Sequence, residues 1–489
     1  MKSSVKRFKL LVGFITILCG ITSTQRSEAI EIAFERDPRL PLVYINLALK
    51  TGSVSDPKGK SGITNFMGEM LLRGTKKRSN EQLNLDLDQI GAKLEVETRL
   101  ESIILRGAVV SKHLPTFLNI VSEVVTEPSF PETEISKLKG ELISTLRELL
   151  GSDGSLASRW FTRFLFQGHP YGNPILGTDK NLRSLTRKQI VDHYNQVVSD
   201  RLLVFVGTGD ASNELISNWV NKIASVLAER TGSDQHGKEL GQTAGQEAGQ
   251  EGITEKPNSK KHLLLSTDLQ NPKNPDKRRL LVVDKPDRTQ TQINVGQVGI
   301  SPTDSDYFPL YLGNHALGGS FSSILMSEIR VKRGWSYGAY SMFRLGLHPR
   351  SWHTNLFPAA KDSPAALELT LKLLKDAKDL GITDAQFEFA QKSLIHNAQF
   401  MFNTPKKRVE NVLVEKTLDL PAGFFRDYAE QLDKVSKSDV NRALNRFLKP
   451  DQMTITVLGT ASQLKDALSK VTGVPVAEIK VIPYTAEDL

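Results

Sequence analysis

Cysteine is almost absent from this sequence: the only one among 489 residues is Cys19. It lies inside the apolar run LLVGFITILCGIT, near the N-terminus. If that segment is removed on export, the mature chain has no disulfides and no thiolate ligands for a metal ion.

Long hydrophobic runs are also lacking. The apolar run near the N-terminus is too short for a membrane-spanning helix, which needs about 20 residues. It follows the basic stretch MKSSVKRFK and precedes a polar stretch that ends in SEA. This three-part layout predicts a signal peptide over residues 1–29, cleaved near Ala29. We therefore expect a periplasmic protein of bacterial type, with no stable membrane insertion after the signal is removed.

A strong excess of one charge is the third absence. Loss of the five basic residues and Glu28 in the predicted signal lowers the formal net charge from +8 to +4. So small an excess gives no reason to expect a nucleic-acid partner.

One internal segment differs sharply in composition from the rest. Residues 229–260, centred on GSDQHGKELGQTAGQEAGQEG, are rich in Gly, Gln and Glu and almost free of large apolar residues. Such a segment cannot bury enough surface to offset its ordering entropy. We place a flexible linker at 229–277, between an N-terminal domain at 30–228 and a C-terminal domain at 278–489.

The two predicted domains resemble each other. Segments 184–212 and 434–462 each read as a helix, a polar turn, a strand and a Gly-Thr exit, and segments 130–149 and 382–401 are both long amphipathic helices. PLVYINLALKTGS and TQINVGQVGIS are strands that precede a helix. The pattern predicts an α+β fold of two homologous sheet-plus-helices sandwich domains. Chance similarity of strand–helix units is the alternative.

A short helix is predicted over GITNFMGEML, residues 62–71. Its apolar stripe has helical spacing and consists of Ile63, Phe66, Met67, Met70 and Leu71. The spacing leaves Asn65, Gly68 and Glu69 together on a second, polar face.

Four stretches occur in an order and spacing that resemble a known family. They are SGITNFMGEMLLRGT, QGHPYGNPILGT, TQTQINVGQVGI and LGGSFSSILMSEIRVKRGWSYGAYS. The chain resembles the insulinase/pitrilysin peptidases, most closely their short, mitochondrial-processing-peptidase-like branch. Active members carry His-x-x-Glu-His on the first of these helices, where two histidines bind Zn²⁺ and the Glu activates water.

The resemblance implies that the zinc site of this chain is degenerate. The three motif positions fall on Asn65, Gly68 and Glu69, and the distal Glu ligand falls on or near Leu146. The nearest carboxylates to that position are Glu141 and Glu148. We expect no catalytic zinc in this chain.

Histidines elsewhere do not supply a replacement ligand set. His348 and His353 flank a Pro-Arg turn rather than one helix face. His169, in HPYG, is interpreted as part of a structural turn.

The second half has residues that correspond to the family's substrate-binding pair, although the first half has lost the zinc ligands. Arg330 and Tyr337 have the spacing of the family's Arg and Tyr that hold the substrate backbone, and both can donate to a peptide carbonyl. Without the resemblance, Arg330 reads as a solvated helix residue and Tyr337 as a core strand residue. Gly318 and Gly319 correspond to the glycine-rich loop of the non-zinc subunits, or else form a plain helix end.

Two functions follow from the resemblance. One is the non-catalytic, substrate-positioning subunit of a heterodimeric zinc peptidase, whose homologous partner carries the zinc and whose substrate is an extended or unfolded peptide. The other is a non-enzymatic peptide-binding or assembly module with the same clamshell fold. An independently active peptidase with an unrecognised metal site is a third possibility.

Overall fold

The computed structural model describes residues 30–199, 202–231 and 268–487. The predicted signal peptide and most of the predicted linker, residues 232–267, lie outside the described residues.

The described residues of the first half form one five-stranded sheet and eight α-helices. Its strands are β1 (Glu31–Arg36), β2 (Leu42–Leu49), β3 (Lys93–Thr98), β4 (Ile103–Val110) and β5 (Leu203–Gly209). Its helices are α1 (Ile63–Leu71), α2 (Asn80–Gln89), α3 (Leu114–Thr126), α4 (Glu132–Gly151), α5 (Asp153–Leu165), α6 (Asp179–Ser184), α7 (Arg187–Val197) and α8 (Asn213–Thr231).

The described residues of the second half form a six-stranded sheet and seven α-helices. Its strands are β6 (Arg279–Asp284), β7 (Gln292–Val298), β8 (Ser336–Phe343), β9 (Ser351–Pro358), β10 (Thr454–Gly459) and β11 (Lys480–Pro483). Its helices are α9 (Tyr307–Asn314), α10 (Ser363–Asp379), α11 (Asp384–Ala398), α12 (Pro405–Thr417), α13 (Tyr428–Asp433), α14 (Lys437–Phe447) and α15 (Ala461–Thr472). Two π-helical segments, His315–Gly319 and Met326–Val331, follow α9.

The two sheets have the same topology. The strand order is β1-β5-β2-β4-β3 in the first half and β11-β6-β10-β7-β9-β8 in the second. The pair β1–β5 is parallel, as is β6–β10, and the next three pairings in each order are antiparallel. Only β11 has no counterpart among the described strands. The predicted α+β class with two homologous sheet-plus-helices domains is confirmed.

Each sheet is covered on both faces. The composition of the central strands is consistent with this, because they are apolar on both sides. In β5 the sequence LVFVGTG is buried throughout. Leu203 and Phe205 join the large first-half core, while Val204 and Val206 point to the opposite face. A strand that is apolar on both sides is typical of a sheet with layers above and below it.

The second layer on each sheet comes from the other half of the chain. Helix α5 of the first half places Leu156, Trp160 and Phe164 against residues of the second sheet that include Leu281 and Val283. Full burial of one such side chain contributes roughly 1.5–3 kcal/mol. The two halves are therefore held together by apolar surface.

Helix α12 of the second half makes the reciprocal contact. Its buried Val409 and Leu413 pack against Ala48, Val204 and Val206 of the first sheet. Ion pairs surround this apolar contact, and they join Arg408 to Glu35, Lys416 to Glu31, and Arg106 to Glu410. The helices α5 and α12 are thus exchanged between the halves.

Two features differ from the sequence predictions of the linker ends. Helix α8 continues to Thr231 and so includes the first three residues assigned to the linker. On the other side, Leu269 is buried in a small apolar cluster, and Asn274 Oδ1 accepts a hydrogen bond from the Val298 N–H at 2.7 Å. Composition did not reveal these contacts because they join the segment to residues far along the chain.

Across the described ranges, every helix is either too short or too polar to span a lipid bilayer.

Candidate functional site

Helix α1, which carries the zinc-motif positions, begins at a buried carboxylate. Asp56 accepts hydrogen bonds from the backbone N–H groups of Gly62 (2.6 Å) and Thr64 (3.0 Å), so it satisfies two donors at the start of the helix. Burial raises the pKa of Asp56 to about 7, against the opposing effect of these hydrogen bonds. Sequence inspection missed this cap because Asp56 lies six residues before Gly62, outside the usual N-cap spacing.

The face of α1 expected to be polar surface is largely covered, which corrects the sequence interpretation. Asn65 is buried, and its Nδ2 has no hydrogen-bond partner among the described residues. Gly68 faces β3 and β4, because a Cβ added there would lie 3.0 Å from Thr98 Oγ1 on β3 and 3.8 Å from Ile103 Cγ2 on β4. Glu69 is half-buried.

The position predicted for the distal zinc ligand lies against the apolar core. Leu146, on α4, is half-buried and packs against the first-half core. Of the nearby carboxylates, Glu148 is exposed and Glu141 is paired with Arg73, at 2.5 Å between Nη2 and Oε2. Neither residue therefore forms, together with Glu69, a pair of free carboxylates that could bind a metal ion.

An arginine supplies the positive charge near Glu69. Burial raises the pKa of Glu69, an effect that Arg73 counters and Glu141 reinforces. Arg73 also lies 3.7 Å from Glu134. With an amide at position 65, no side chain at 68 and a guanidinium among the carboxylates, these residues do not fit a three-ligand zinc site.

One buried histidine that contacts the first turn of α1 was not identified from the sequence. His193, on α7, is buried and its Nε2 lies 2.7 Å from Thr64 Oγ1. Burial lowers its pKa to about 4, so the ring is neutral near pH 7. Within residues 30–199, 202–231 and 268–487, no three His, Cys, Asp or Glu side chains form a group that could hold a metal ion.

The other predicted histidines have separate surroundings. His353 is buried on β9 with its ring centroid 4.7 Å from that of Phe161 on α5, and burial lowers its pKa to about 3. His348 Nδ1 lies 2.8 Å from Asn271 Oδ1. In the HPYG turn, His169 Nδ1 accepts the Tyr171 N–H at 3.1 Å.

The structure brings Arg330 and Tyr337 together. Arg330 lies on the π-helical segment Met326–Val331, and its Cζ is 4.5 Å from the centroid of the Tyr337 ring. The exposed Phe321 ring lies on Arg330 as well, at 4.8 Å. Sequence inspection missed Phe321. An aromatic residue nine positions before an arginine has no periodic signal of its own.

Tyr337 is presented to solvent by an irregularity in its strand. The β8–β9 register shifts between Ser336 and Ala339, and the Tyr337 side chain is 73% exposed. Ser336 Oγ stabilises the bulge by donating to the Gly338 carbonyl at 2.6 Å. The interpretation of Tyr337 as a core residue is therefore wrong. Bulges of this kind often redirect a side chain next to a functional site.

Gly318 and Gly319 lie in the π-helical segment His315–Gly319 rather than in an open loop. A Cβ on Gly318 would lie 2.5 Å from the backbone N and from Oγ of Ser341, closer than real Cβ atoms come. At Gly319 the nearest atoms would be 3.3 Å away. Close approach of Ser341 on β8 therefore explains why residue 318 is a glycine.

Comparison with family models identifies the class of protein. A model described as "Insulinase (Peptidase family M16)" matches residues 31–179, and one described as "Peptidase M16 inactive domain" matches residues 184–394. Together they cover about three quarters of the chain. The chain belongs to the insulinase-type peptidase family, and it is of the type that lacks the inverted zinc motif.

Individual relatives carry different names. The "Non-peptidase homolog YmxG" of Helicobacter pylori is 21% identical over 464 residues, which span 92% of this chain and 99% of the relative. The "Uncharacterized zinc protease YmxG" of Bacillus subtilis is 23% identical over 64% of this chain and 67% of the relative. The human mitochondrial-processing peptidase subunit beta is 25% identical over 178 residues, 36% of each chain.

Solved structures share the fold. A peptidase M16 inactive domain from Pseudomonas fluorescens superposes with a TM-score of 0.74 at 22% identity, covering 87% of this chain and 95% of that chain. A protease from Helicobacter pylori superposes with a TM-score of 0.71 at 18% identity, covering 86% and 96%. The two-domain clamshell of this chain is therefore the fold of the family.

Proposed function

We propose that this chain is the substrate-positioning subunit of a heterodimeric zinc endopeptidase of the periplasm. A homologous partner would carry His-x-x-Glu-His, and the substrate would be an extended or unfolded peptide. One observation carries the proposal: Arg330 and Tyr337 are paired and accessible in the same chain whose zinc-motif positions hold Asn65, Gly68 and Glu69.

The donors of this pair are available to a ligand. Within the described residues, the Arg330 side chain makes ring contacts only, and neither its guanidinium nor the Tyr337 hydroxyl has a hydrogen-bond partner. Arginine offers five N–H donors and tyrosine one O–H donor. Donors held in place by aromatic rings suit a peptide carbonyl, and they suit the oxyanion formed from it still better because charge strengthens the hydrogen bond.

An extended peptide also needs a partner for its backbone. Strands β3 and β8 are the terminal strands of their sheets, next to α1 and to the Arg330–Tyr337 pair respectively. Pairing along such an edge uses main-chain hydrogen bonds and tolerates many sequences. This mode of binding fits a peptidase subunit that acts on unfolded chains.

The direct test assays the chain alone and with a co-expressed homologue that has an intact His-x-x-Glu-His, using an unstructured fluorogenic peptide. We expect cleavage only with the partner, and zinc only in the partner. In the complex, Arg330→Ala and Tyr337→Phe should each lower turnover on the order of 10²-fold, the usual cost of a lost oxyanion donor. Arg39→Ala and Tyr484→Phe are matched controls that should leave turnover unchanged.

Two results would contradict the proposal. Robust cleavage with stoichiometric zinc in the lone chain would make it an independent enzyme. Unchanged turnover in both the Arg330 and the Tyr337 variants, with the heterodimer intact by gel filtration, would remove the substrate-positioning role.

A second candidate function is peptide binding without catalysis. It is favoured by the relative named "Non-peptidase homolog", which aligns over almost its full length. This candidate predicts that the lone chain binds unstructured peptides and that no homologue adds cleavage. The binding of labelled peptide measured beside the cleavage assay separates the two functions.

The proposed export has its own test. Residues 1–29 should be missing from the protein recovered from the periplasmic fraction of an expressing bacterium, as shown by the intact mass. A cytoplasmic protein with an unprocessed N-terminus would contradict this part of the proposal.

A further inference from the structure

A polar cavity lies beside the second π-helical glycine, at the far end of β8 from Tyr337. Its volume is about 290 Å³. Its polar lining is formed by Tyr311, Asn314, His315, Gly319, Ser341 and Arg344. Among the described residues, no Asp or Glu lines it. The described lining is therefore rich in hydrogen-bond donors and includes no carboxylate to pair with them.

Asn314 and His315 contribute nitrogen atoms to the cavity, and the orientation of the Asn314 amide is fixed by its neighbour. Trp352 Nε1 donates to Asn314 Oδ1 at 2.8 Å, and because an indole only donates, the Asn314 Nδ2 remains a donor. His315 Nε2 lies 3.1 Å from Ser393 Oγ, and burial lowers the pKa of this ring. A Cβ at Gly319 would lie 3.3 Å from both Asn314 Nδ2 and His315 Nδ1, so the glycine leaves these nitrogens uncovered.

Arg344 supplies the charge of the cavity. It directly follows β8, its side chain is solvent-accessible, and it makes no hydrogen bond or ion pair with any described residue. Partial burial of the guanidinium and the neighbouring charge of Arg350 lower the pKa of Arg344. Other arginines of the second half have carboxylate partners, such as Arg333, Arg426 and Arg446. Arg350 is itself paired with Glu101, at 3.5 Å between Nη1 and Oε2, whereas Arg344 has no carboxylate partner among the described residues, so the Arg344 guanidinium favours an anionic ligand.

We propose that this cavity binds a carboxylate of the peptide substrate, a specificity that rests on the proposed peptide-binding function. A guanidinium pairs with a planar carboxylate through two parallel hydrogen bonds, and Asn314 Nδ2 adds a third donor. Tyr337 and Arg344 are seven residues apart along one edge strand, or roughly 20 Å at about 3.3 Å per residue. A peptide held at Arg330 and Tyr337 thus reaches the cavity with a carboxylate about six or seven residues away.

The test measures binding of fluorescent unstructured peptides to the mature chain by anisotropy. Four peptides of otherwise identical sequence are compared. The C-terminus is either free or amidated, and one position about seven residues from the middle of the peptide is either Glu or Gln. We expect at least one charged version to bind about tenfold tighter than the doubly neutral peptide, since a charge-assisted hydrogen bond contributes about 1.5–3 kcal/mol. Arg344→Gln should abolish that preference, and the matched charge change Lys58→Gln should preserve it.

The outcomes separate this inference from the proposed function. Loss of doubly neutral peptide binding in Arg330→Ala reports on the proposed function, whereas the charge preference reports on the cavity. Equal binding of all four peptides by the wild-type chain would overturn the carboxylate site and leave the proposed function standing.

A second probe does not require peptide binding at all. N-acetylglutamate titrated onto the chain should slow hydrogen exchange in residues 311–319 and 339–344, and Arg344→Gln should remove the effect. No protection in the wild-type chain, or stronger protection by inorganic phosphate than by the carboxylate, would overturn the assignment.

Discussion

At the scale of single residues, the ring of Phe321 decides how rigidly Arg330 is held. The guanidinium contacts two aromatic rings, whose centroids lie 4.8 Å and 4.5 Å from Cζ. Cation–π contacts at exposed sites contribute about 0.5–1 kcal/mol each. The two rings therefore preorganise the donors without occupying any of them.

Phe321→Ala should raise the KM of the heterodimer about two- to fivefold and change kcat little, because the ring positions Arg330 and donates nothing to the substrate. Phe400→Ala is the matched control, since both side chains are 62% exposed. A loss in kcat as large as that of Arg330→Ala would show that Phe321 does more than position the guanidinium.

Gly318 gives a prediction about packing. Gly318→Ala should lower the free energy of unfolding by about 1–3 kcal/mol, because its Cβ would overlap the backbone of β8. Gly140→Ala, in the exposed middle of α4 with no atom within 4 Å of the new Cβ, should instead raise it by about 0.4–1 kcal/mol. Urea denaturation of both variants measures the difference. Equal effects would refute close approach as the reason for Gly318.

At the scale of elements, the strands, helices and their duplication were predictable, while their contacts were not. The stripe of α1 and the apolar run of β5 are local patterns, which can be read from the sequence by period in α1 and by run length and β-branched content in β5. The cover over Gly68 comes from β3 and β4, about 30 residues later, and the cap on α1 from Asp56. No local pattern encodes such contacts.

The candidate site was predictable to a similar extent. The spacing of Arg330 and Tyr337 was read from the resemblance, and the structure pairs them. The contact of Phe321 with Arg330 depends on a π-helical segment, and the exposure of Tyr337 depends on a strand bulge. Both are irregularities that arise from tertiary packing, which periodicity does not register.

At the scale of the whole molecule, the buried His353, which packs against α5, makes the free energy of unfolding depend on pH. Its folded pKa of about 3 lies below the ordinary 6.5, so the unfolded chain binds the extra proton between these values. Stability from this group is therefore complete above about pH 6.5 and declines as the pH falls toward 3, by at most about 1.4 kcal/mol per pH unit. His193 contributes in the same direction between about 6.5 and 4.

His353→Leu should flatten this decline and raise stability at pH 5, because both ring nitrogens lack partners among the described residues. Urea midpoints at pH 7 and pH 5 measure the effect. Asp56, whose raised pKa gives the opposite slope between about 4 and 7, is present in both proteins and cancels in the comparison. A variant with an unchanged slope would exclude His353 as the source.

Docking of the halves depends on the apolar face of α12. Leu413→Ala should cost about 2–4 kcal/mol and should make hydrogen exchange in β5 faster than in β10, because Leu413 packs against Val204 and Val206. Leu374→Ala, in the core of the second half alone, is the matched control and should affect β10 more. The opposite ranking would mean that α12 does not hold the halves together.

The exchange of α5 and α12 has a consequence for biogenesis. The outer face of the first sheet stays bare until residues 405–417 have been made, about 200 residues after β5. At roughly 5–20 residues per second, this delay lasts on the order of 10–40 s. During that interval the nascent chain exposes an apolar sheet surface that is prone to aggregation. A product truncated before residue 405 would expose this surface permanently. The protein therefore matures only as a finished chain, so we expect chaperone demand to peak while its second half is being synthesised.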